Sequence, residues 1–211
     1  YKVKHTLRFN PPKEWKAPED CNTHFLGLCE LVNILQFKLN IQDKLKMVEI
    51  GSHLGESTFV FAASQIFESI SCIDPFEGNE EALKILKRSW KQVKKEFTIN
   101  TRYFNNVVLY EDYSFEVVKQ FKDKTLDFVY IDGDHKYDSV KRDIKLFLPK
   151  LKSTGIIAGH DYTLPCVEVK RAVDEILGKP DFVTKDGSWV RYIKRPTLSP
   201  KQSKRILTNF R

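Results

Sequence analysis

Short apolar runs recur along this chain, and each is followed by glycine or polar residues. The runs are rich in valine and isoleucine and only a few residues long, which is typical of strands buried on both faces of a sheet. The pattern predicts five strands, at residues 46–50, 70–74, 106–110, 126–131 and 155–159.

The segments between these runs carry apolar residues at helical spacing. Strand and helix alternating in this way predicts right-handed crossovers and a parallel sheet with helices on both faces. The helices are predicted at residues 56–68, 80–97, 115–121, 137–148 and 167–177, after a leading helix at 24–37.

The last part of the chain breaks this alternation. Residues 181–184 and 188–193 are rich in β-forming side chains, and Asp186-Gly187 stands between them. Asp-Gly between two such runs indicates a hairpin, so we expect the sheet to end in an antiparallel strand. The predicted fold is α/β, a Rossmann-like doubly wound sheet that is mostly parallel. In such a sheet, ligands bind beyond the carboxyl ends of the strands.

Length and composition predict one soluble domain. The chain has 211 residues, 41% of them hydrophobic, and no apolar run long enough to span a bilayer. We expect a leading segment at 1–45, a core at 46–194 and a basic tail at 195–211. The four cysteines form no CxxC pair, which favours thiols and a reducing, cytoplasmic location. The first residue is Tyr1, which suggests a piece of a longer polypeptide or a processed chain.

The charge changes this picture little. The formal net charge is +7 and the pI is about 9.1, which raises nucleic acid as a partner. However, the basic residues are interleaved with acidic ones over most of the chain, as on a solvated helix face. Asn10-Pro11-Pro12 lies before the first strand and lacks a following aromatic residue, so it is poorly placed to hold a flipped base. Nucleic acid is therefore not the expected partner.

The first predicted strand runs into a turn that contains glycine, Val48 to Thr58, or VEIGSHLGEST. Gly51 and Gly55 allow a tight turn and close approach of a ligand to the backbone. The spacing is not GxGxxG, because His53 occupies the middle glycine position, and this argues against NAD. Glu49 adds negative charge, which suits a cationic ligand better than a phosphate.

Two further positions follow the second strand. Asp74 can accept both hydroxyls of a ribose there, although an aspartate before proline can also be a turn residue. Phe76 is a candidate to lie beside an adenine, and a place in a lid or in the core is equally open.

Five polar residues follow the fourth and fifth strands: Asp132, Asp134, His135, His160 and Asp161. Because neighbouring strand ends lie side by side, we expect these residues to share one cleft. Such a cluster can bind a hard cation through oxygen ligands or present a general base to a hydroxyl. Two structural alternatives stay open: Asp134 can cap the helix that begins near Lys136, and His160 can be a hydrogen-bonded core histidine.

Together these motifs resemble a known family. VEIGSHLGEST, IDPFEG, YIDGDHKYDSVKRDI and GIIAGHDY, in this order, are similar to class I S-adenosylmethionine-dependent methyltransferases, and most to the macrocin- and mycinamicin-type sugar O-methyltransferases. The resemblance implies seven strands with the last antiparallel. It implies cofactor contacts by Glu49, Gly51, Ser52, His53, Gly55, Ser57, Asp74, Phe76, Asp112, Ser114 and Asp132.

The resemblance also implies the catalytic groups. His135 matches the family's base, with Asp132, Asp134 and His160 beside it. Asp132 and Asp161 match the positions that hold a divalent metal, Mg²⁺ or Mn²⁺, and His160 occupies the third position of that set. His160 departs from the acidic pair that the family shows there, and imidazole is a poor ligand for so hard an ion.

The implied function is methyl transfer to a sugar hydroxyl, with a carbohydrate or glycan as the acceptor and a larger glycan-building protein as the context. The alternatives are an NAD(P)-dependent oxidoreductase, a methyltransferase for another small molecule or nucleic acid, and a non-catalytic binding module. The sequence leaves the oligomeric state open.

Overall fold

The computed structural model describes residues 23–38, 44–78 and 87–194. Seven strands form one sheet: β1 (Leu45–Ile50), β2 (Phe67–Ile73), β3 (Val107–Tyr110), β4 (Leu126–Ile131), β5 (Leu151–Gly159), β6 (Phe182–Val183) and β7 (Trp189–Tyr192). Their order across the sheet is β3-β2-β1-β4-β5-β7-β6. All neighbours pair in parallel except β7, which runs antiparallel to both β5 and β6. The predicted fold class is confirmed.

The described helices are α1 (Thr23–Lys38), α2 (Glu56–Ala63), α3 (Trp90–Thr101), α4 (Ser114–Val117), α5 (Tyr137–Phe147) and α6 (Val167–Leu177). Short 3₁₀ turns follow α4 and α5, at Val118–Gln120 and Leu148–Lys150. A capping box between Ser89 and Gln92 begins α3. Residues 80–86 of the helix predicted at 80–97 lie outside the described residues. The prediction was wrong for 87–89, which are not helical because Ser89 caps a helix that begins at Trp90, and the helix ends four residues later than predicted, at Thr101.

The helix predicted at 56–68 is too long. It ends at Ala63, where the Ser64 hydroxyl donates to the Phe61 carbonyl at 2.5 Å and Gln65 takes a left-handed φ of 60°. Phe67 already belongs to β2 and pairs with Leu45 of β1. From its position in the strand, the Phe67 ring packs against Phe61. The apolar residues at 64–68 are therefore buried without continuing the helix.

Apolar side chains cover both faces of the sheet. Alternate residues of one strand reach opposite faces, so Met47 joins the cluster under α1, α2 and α3, while Val48 joins the cluster under α5 and α6. Phe61 of α2 is fully buried and meets the rings of Phe128 and Tyr130 at 5.8 and 5.2 Å. Packing on both faces fixes the position of each strand end, and the site lies at those ends.

Helix α1 packs as part of this core. Leu28, Leu31, Val32 and Leu35 are buried in the cluster that also holds the sheet residues of that face. Helix α1, which lies before the predicted boundary at residue 45, therefore packs in the same core as the strands that follow that boundary. Residues 1–22 and the tail at 195–211 lie outside the described residues. Among the helices that are described, none combines the length and apolar character needed to cross a membrane.

Candidate active site

The turn after β1 is pressed against the end of β4. Gly51 has a φ of 84°, and its amide donates to the Ile73 carbonyl at 2.9 Å. A Cβ on Gly51 would lie only 2.1 Å from the carbonyl oxygen of Asp132. Gly55, also left-handed, precedes α2, and its amide donates to Ser52 at 2.7 Å. Glycine is thus required where the first turn meets the fourth strand.

Glu49 is the last but one residue of β1, just before this turn. Its carboxylate is fully buried and accepts hydrogen bonds from Ser57 at 2.6 Å and from Thr58. The Cys72 thiol lies 3.5 Å from the same carboxylate. Burial raises the pKa of Glu49, and the hydroxyl donors oppose that rise. Ser52, in the turn itself, is also buried. Glu49 and Ser57, both predicted to contact the cofactor, are thus buried and hydrogen-bonded to each other, and their contact with a cofactor stays a prediction.

Asp74 joins the turn to the loop after β2. One carboxylate oxygen accepts from the His53 amide at 2.8 Å, and the other accepts from the Phe76 amide at 2.7 Å. Burial raises the pKa of Asp74, and these two amides lower it. The Phe76 ring is buried and meets Phe97 edge-on at 5.9 Å. The structure thus gives Phe76 a packing role, and its contact with an adenine stays a prediction.

The region predicted to lie near the adenine follows β3. Asp112 is exposed and accepts from the neighbouring Tyr113 amide at 2.7 Å. Ser114 is buried and donates to Asp143 of α5 at 2.5 Å. Burial raises the pKa of Asp143 to about 6, against the effect of Ser114. The hydroxyl of Ser114 therefore already has an internal acceptor.

The ends of β4 and β5 bring four predicted residues together. His135 Nε2 lies 3.1 Å from Asp161 and 3.6 Å from Asp132, and His160 Nδ1 lies 3.2 Å from Asp161 and 4.0 Å from Asp132. The Asp132 carboxylate and then Asp161 raise the pKa of His135, although burial lowers it. Four of the five residues predicted to lie together at these strand ends are therefore neighbours in the structure.

Asp134 does not join this cluster. It is exposed, accepts from the Ser139 hydroxyl at 2.7 Å, and lies 3.4 Å from the Lys136 amide. These are contacts with the start of α5, as in the capping alternative. A catalytic role for Asp134 has no geometric support here and stays a prediction.

Three residues of the site were missed by the sequence reasoning. His24 of α1 lies 3.1 Å from His160, and Asp186 of the β6–β7 turn lies 3.5 Å from it. Cys166 donates to Asp161 at 3.4 Å. Only Asp186 carried a signal, the Asp-Gly pair, and that signal indicated a turn rather than a buried carboxylate.

The metal prediction can be tested against this geometry. Ligand atoms of Asp132, His160 and Asp161 lie within 4.8 Å of one another, as a metal site requires. However, Nδ1 of His160 faces Asp161, and Nε2 faces Asp186 and His24. A ligating imidazole needs one nitrogen free of a proton, and hard divalent ions prefer oxygen. The residues as arranged do not fit Mg²⁺ or Mn²⁺.

The architecture and the site together define a class. The protein has the doubly wound sheet of a Rossmann-like fold, with a glycine turn after its first strand and carboxylates at neighbouring strand ends. A family profile described as "Methyltransferase domain" matches residues 48–162, more than half of the chain. The chain therefore belongs to this methyltransferase family, whose enzymes use S-adenosylmethionine.

Two curated proteins resemble the chain in sequence. One is the uncharacterized protein y4gI of Sinorhizobium fredii, 28% identical over 55% of this chain and 13% of its own length. The other is the uncharacterized protein R132 of Acanthamoeba polyphaga mimivirus, 29% identical over 66% of this chain. The chain spans 59% of R132, so it covers less than two thirds of either relative.

Solved structures show the same fold at low identity. The O-methyltransferase NovP is 17% identical, with a TM-score of 0.58 and coverage of 78% of both chains. CalS11, a TDP-rhamnose 3'-O-methyltransferase of calicheamicin biosynthesis, is 15% identical, with a TM-score of 0.54 over 80% of this chain and 79% of its own.

Proposed function

We propose that this chain is an S-adenosylmethionine-dependent O-methyltransferase whose acceptor is a sugar hydroxyl. The observation that carries the proposal is the pairing of His135 with Asp161 at the strand ends, because a sugar hydroxyl is a very weak acid and needs a base. The likeness in fold to a methyltransferase for TDP-rhamnose supports this class of acceptor.

The turn after β1 suits S-adenosylmethionine better than a dinucleotide. A pyrophosphate site needs free backbone amides, but the amides of Gly51, His53 and Gly55 donate to Ile73, Asp74 and Ser52. The carboxylates of Asp74 and Asp132 suit ribose hydroxyls and positive charge. We therefore propose that the turn, Asp74 and Asp132 line the cofactor, with Glu49 and Ser57 holding the turn.

His135 can act as the base through one defined nitrogen. A hydrogen on Nε2 donates to Asp161 at 3.1 Å, which leaves the lone pair on Nδ1. S-adenosylmethionine, when bound, supplies a methyl group already activated by its sulfonium. His135 Nδ1 would accept the hydroxyl proton as the acceptor oxygen bonds to the methyl carbon and the bond from that carbon to sulfur breaks, which leaves a neutral thioether, and Asp161 would stabilise the imidazolium that results. Half of the His135 side chain is exposed, so an acceptor can reach it.

The domain can be one part of a larger glycan-building protein. The chain spans only 13% of y4gI, so a segment of this kind lies within a much longer polypeptide there. We propose the same modular context here, with a carbohydrate or glycan as the acceptor. A reducing, cytoplasmic location is part of this proposal.

An acceptor screen tests the proposed function. The protein is incubated with S-adenosylmethionine carrying a labelled methyl group, and with nucleotide-linked deoxyhexoses, free sugars, catechols or RNA in separate reactions. Labelled sugar products that disappear in His135→Ala support the proposal. Labelling of catechols or RNA without sugars would contradict it.

A further inference from the structure

The turn between β6 and β7 buries a carboxylate beside the active site. The side chain of Asp186 is 2% exposed. It accepts hydrogen bonds from the Ser188 hydroxyl at 3.0 Å, from the Ser188 amide at 3.2 Å, and from Thr184. It also lies 3.3 Å from His24 Nδ1 and 3.5 Å from His160 Nε2. Neutral donors and two imidazoles thus surround one buried charge.

Helix α1 is shaped to cover this carboxylate. A Cβ on Gly27 would lie 2.0 Å from Asp186 Cγ, so only glycine lets the helix pass there. His24 stands one helical turn earlier and brings its ring within 4.5 Å of the His160 ring, edge to face. The packing of α1 therefore brings Gly27 against Asp186 and His24 against His160.

His160 is held at both ring nitrogens. Nδ1 faces Asp161 at 3.2 Å, with Asp132 at 4.0 Å, and Nε2 faces Asp186 at 3.5 Å and His24 at 3.1 Å. A carboxylate at each nitrogen favours a proton on each.

We propose that Asp186 and His24 are positioning residues that hold His160 as a fixed imidazolium, which takes the place of a divalent cation between Asp132 and Asp161. The imidazolium keeps Asp161 ionised and in place to receive the Nε2 hydrogen of His135. This inference deepens the proposed function and rests on it for the use of His135 as the base.

The first test reads the protonation of His160 directly. Histidine ¹⁵N shifts are followed by NMR from pH 6 to 10 in the unchanged protein and in Asp186→Asn, which keeps the size of the side chain and an acceptor for Ser188. Asp123→Asn is the control, because Asp123 pairs with Lys150 on an exposed surface. We expect His160 to be doubly protonated at pH 7.5 in the unchanged protein and in the control. In Asp186→Asn its titration should fall by about one pH unit or more.

Two outcomes of this test would overturn the proposal. One is a neutral His160 at pH 7.5 in the unchanged protein. The other is an unchanged titration in an Asp186→Asn protein that remains folded by its amide spectrum. His24→Phe should likewise shift the titration while Asp123→Asn does not, and no shift in His24→Phe would remove His24 from the account.

The second test measures the ion itself. Manganese chloride is titrated into the unchanged protein and into His160→Asp, with circular dichroism as the check on folding. We expect no binding by the unchanged protein up to about 1 mM Mn²⁺, and at least a tenfold gain in affinity in His160→Asp, equal to about 1.4 kcal/mol. Submillimolar binding of Mn²⁺ by the unchanged protein, or no gain in Mn²⁺ affinity in a folded His160→Asp protein, would overturn the proposal that His160 takes the place of the cation. Neither test needs an acceptor, so failure here is distinct from failure of the proposed function.

Discussion

Replacing Gly51 with alanine places a methyl group where the first turn meets the end of β4. The new Cβ would lie 2.1 Å from the Asp132 carbonyl oxygen and 2.5 Å from the Gly133 Cα, and all of these are backbone atoms. Backbone cannot rotate away as a flexible side chain can. The substitution must therefore push apart the two strand ends that carry the proposed cofactor and catalytic residues.

The magnitude follows from two effects. Gly51 has a φ of 84°, and a left-handed conformation costs an alanine about 1–2 kcal/mol. Overpacking against a rigid neighbour adds about 1–3 kcal/mol. We expect Gly51→Ala to lose roughly 2–5 kcal/mol of unfolding free energy. In a chain of this size, each kcal/mol lowers the melting temperature by roughly 2–4 °C.

Gly133→Ala is the matched control. Its Cβ would meet Ile50 Cγ2 at 3.5 Å, which is ordinary contact, and Gly133 is outside the left-handed region. We expect its unfolding free energy to stay within about 1 kcal/mol of the unchanged protein. Both variants are measured by urea unfolding and by calorimetric titration with S-adenosylmethionine. Gly51→Ala with full stability and full affinity would refute the contact between turn and strand end.

Four further predictions concern the site. His135→Ala should lower the turnover rate by about 10²–10⁴-fold and leave calorimetric affinity for S-adenosylmethionine nearly intact, whereas equal loss of both would mean a structural role. Asp74→Asn keeps an acceptor for one amide, so we expect a weaker affinity for S-adenosylmethionine, by about 1–2 kcal/mol, with an unchanged fold. In rate profiles, activity should fall as pH drops through the raised pKa of His135, and a flat acidic limb would argue against this base. For His160, the folded-state pKa of about 10 exceeds the ordinary 6.5, so its contribution to stability is complete below pH 6.5 and is lost as pH rises through about 10. Urea unfolding from pH 6 to 10.5 should show that loss in the unchanged protein and a smaller one in His160→Gln.

The sheet could be predicted because its signals are local. Each buried strand is a short apolar run with a turn behind it, and neighbouring strand ends must share one edge. His135, His160 and Asp161 follow neighbouring strands, so the sequence alone predicts that they lie close together. The sequence is ambiguous at 64–68, where the same apolar spacing fits a helix or a strand, and the packing of Phe67 decides between them.

The second half of the site had no such signal. His24 and Asp186 are separated from each other by 162 positions, and each meets His160 through packing of α1 and the last hairpin. No periodicity indicates that the carboxylate of an Asp-Gly turn is buried. Likewise, Gly27 reads as a weak point in a helix until the structure shows what fills the space beside it.

The central claim is that the strand-end cleft binds S-adenosylmethionine and not a dinucleotide. The most direct measurement is a pair of calorimetric titrations of the purified protein, one with S-adenosylmethionine and one with NAD, each with and without a chelator. We predict micromolar binding of S-adenosylmethionine, no binding of NAD and no effect of the chelator. Binding of NAD, or of neither ligand, would contradict it.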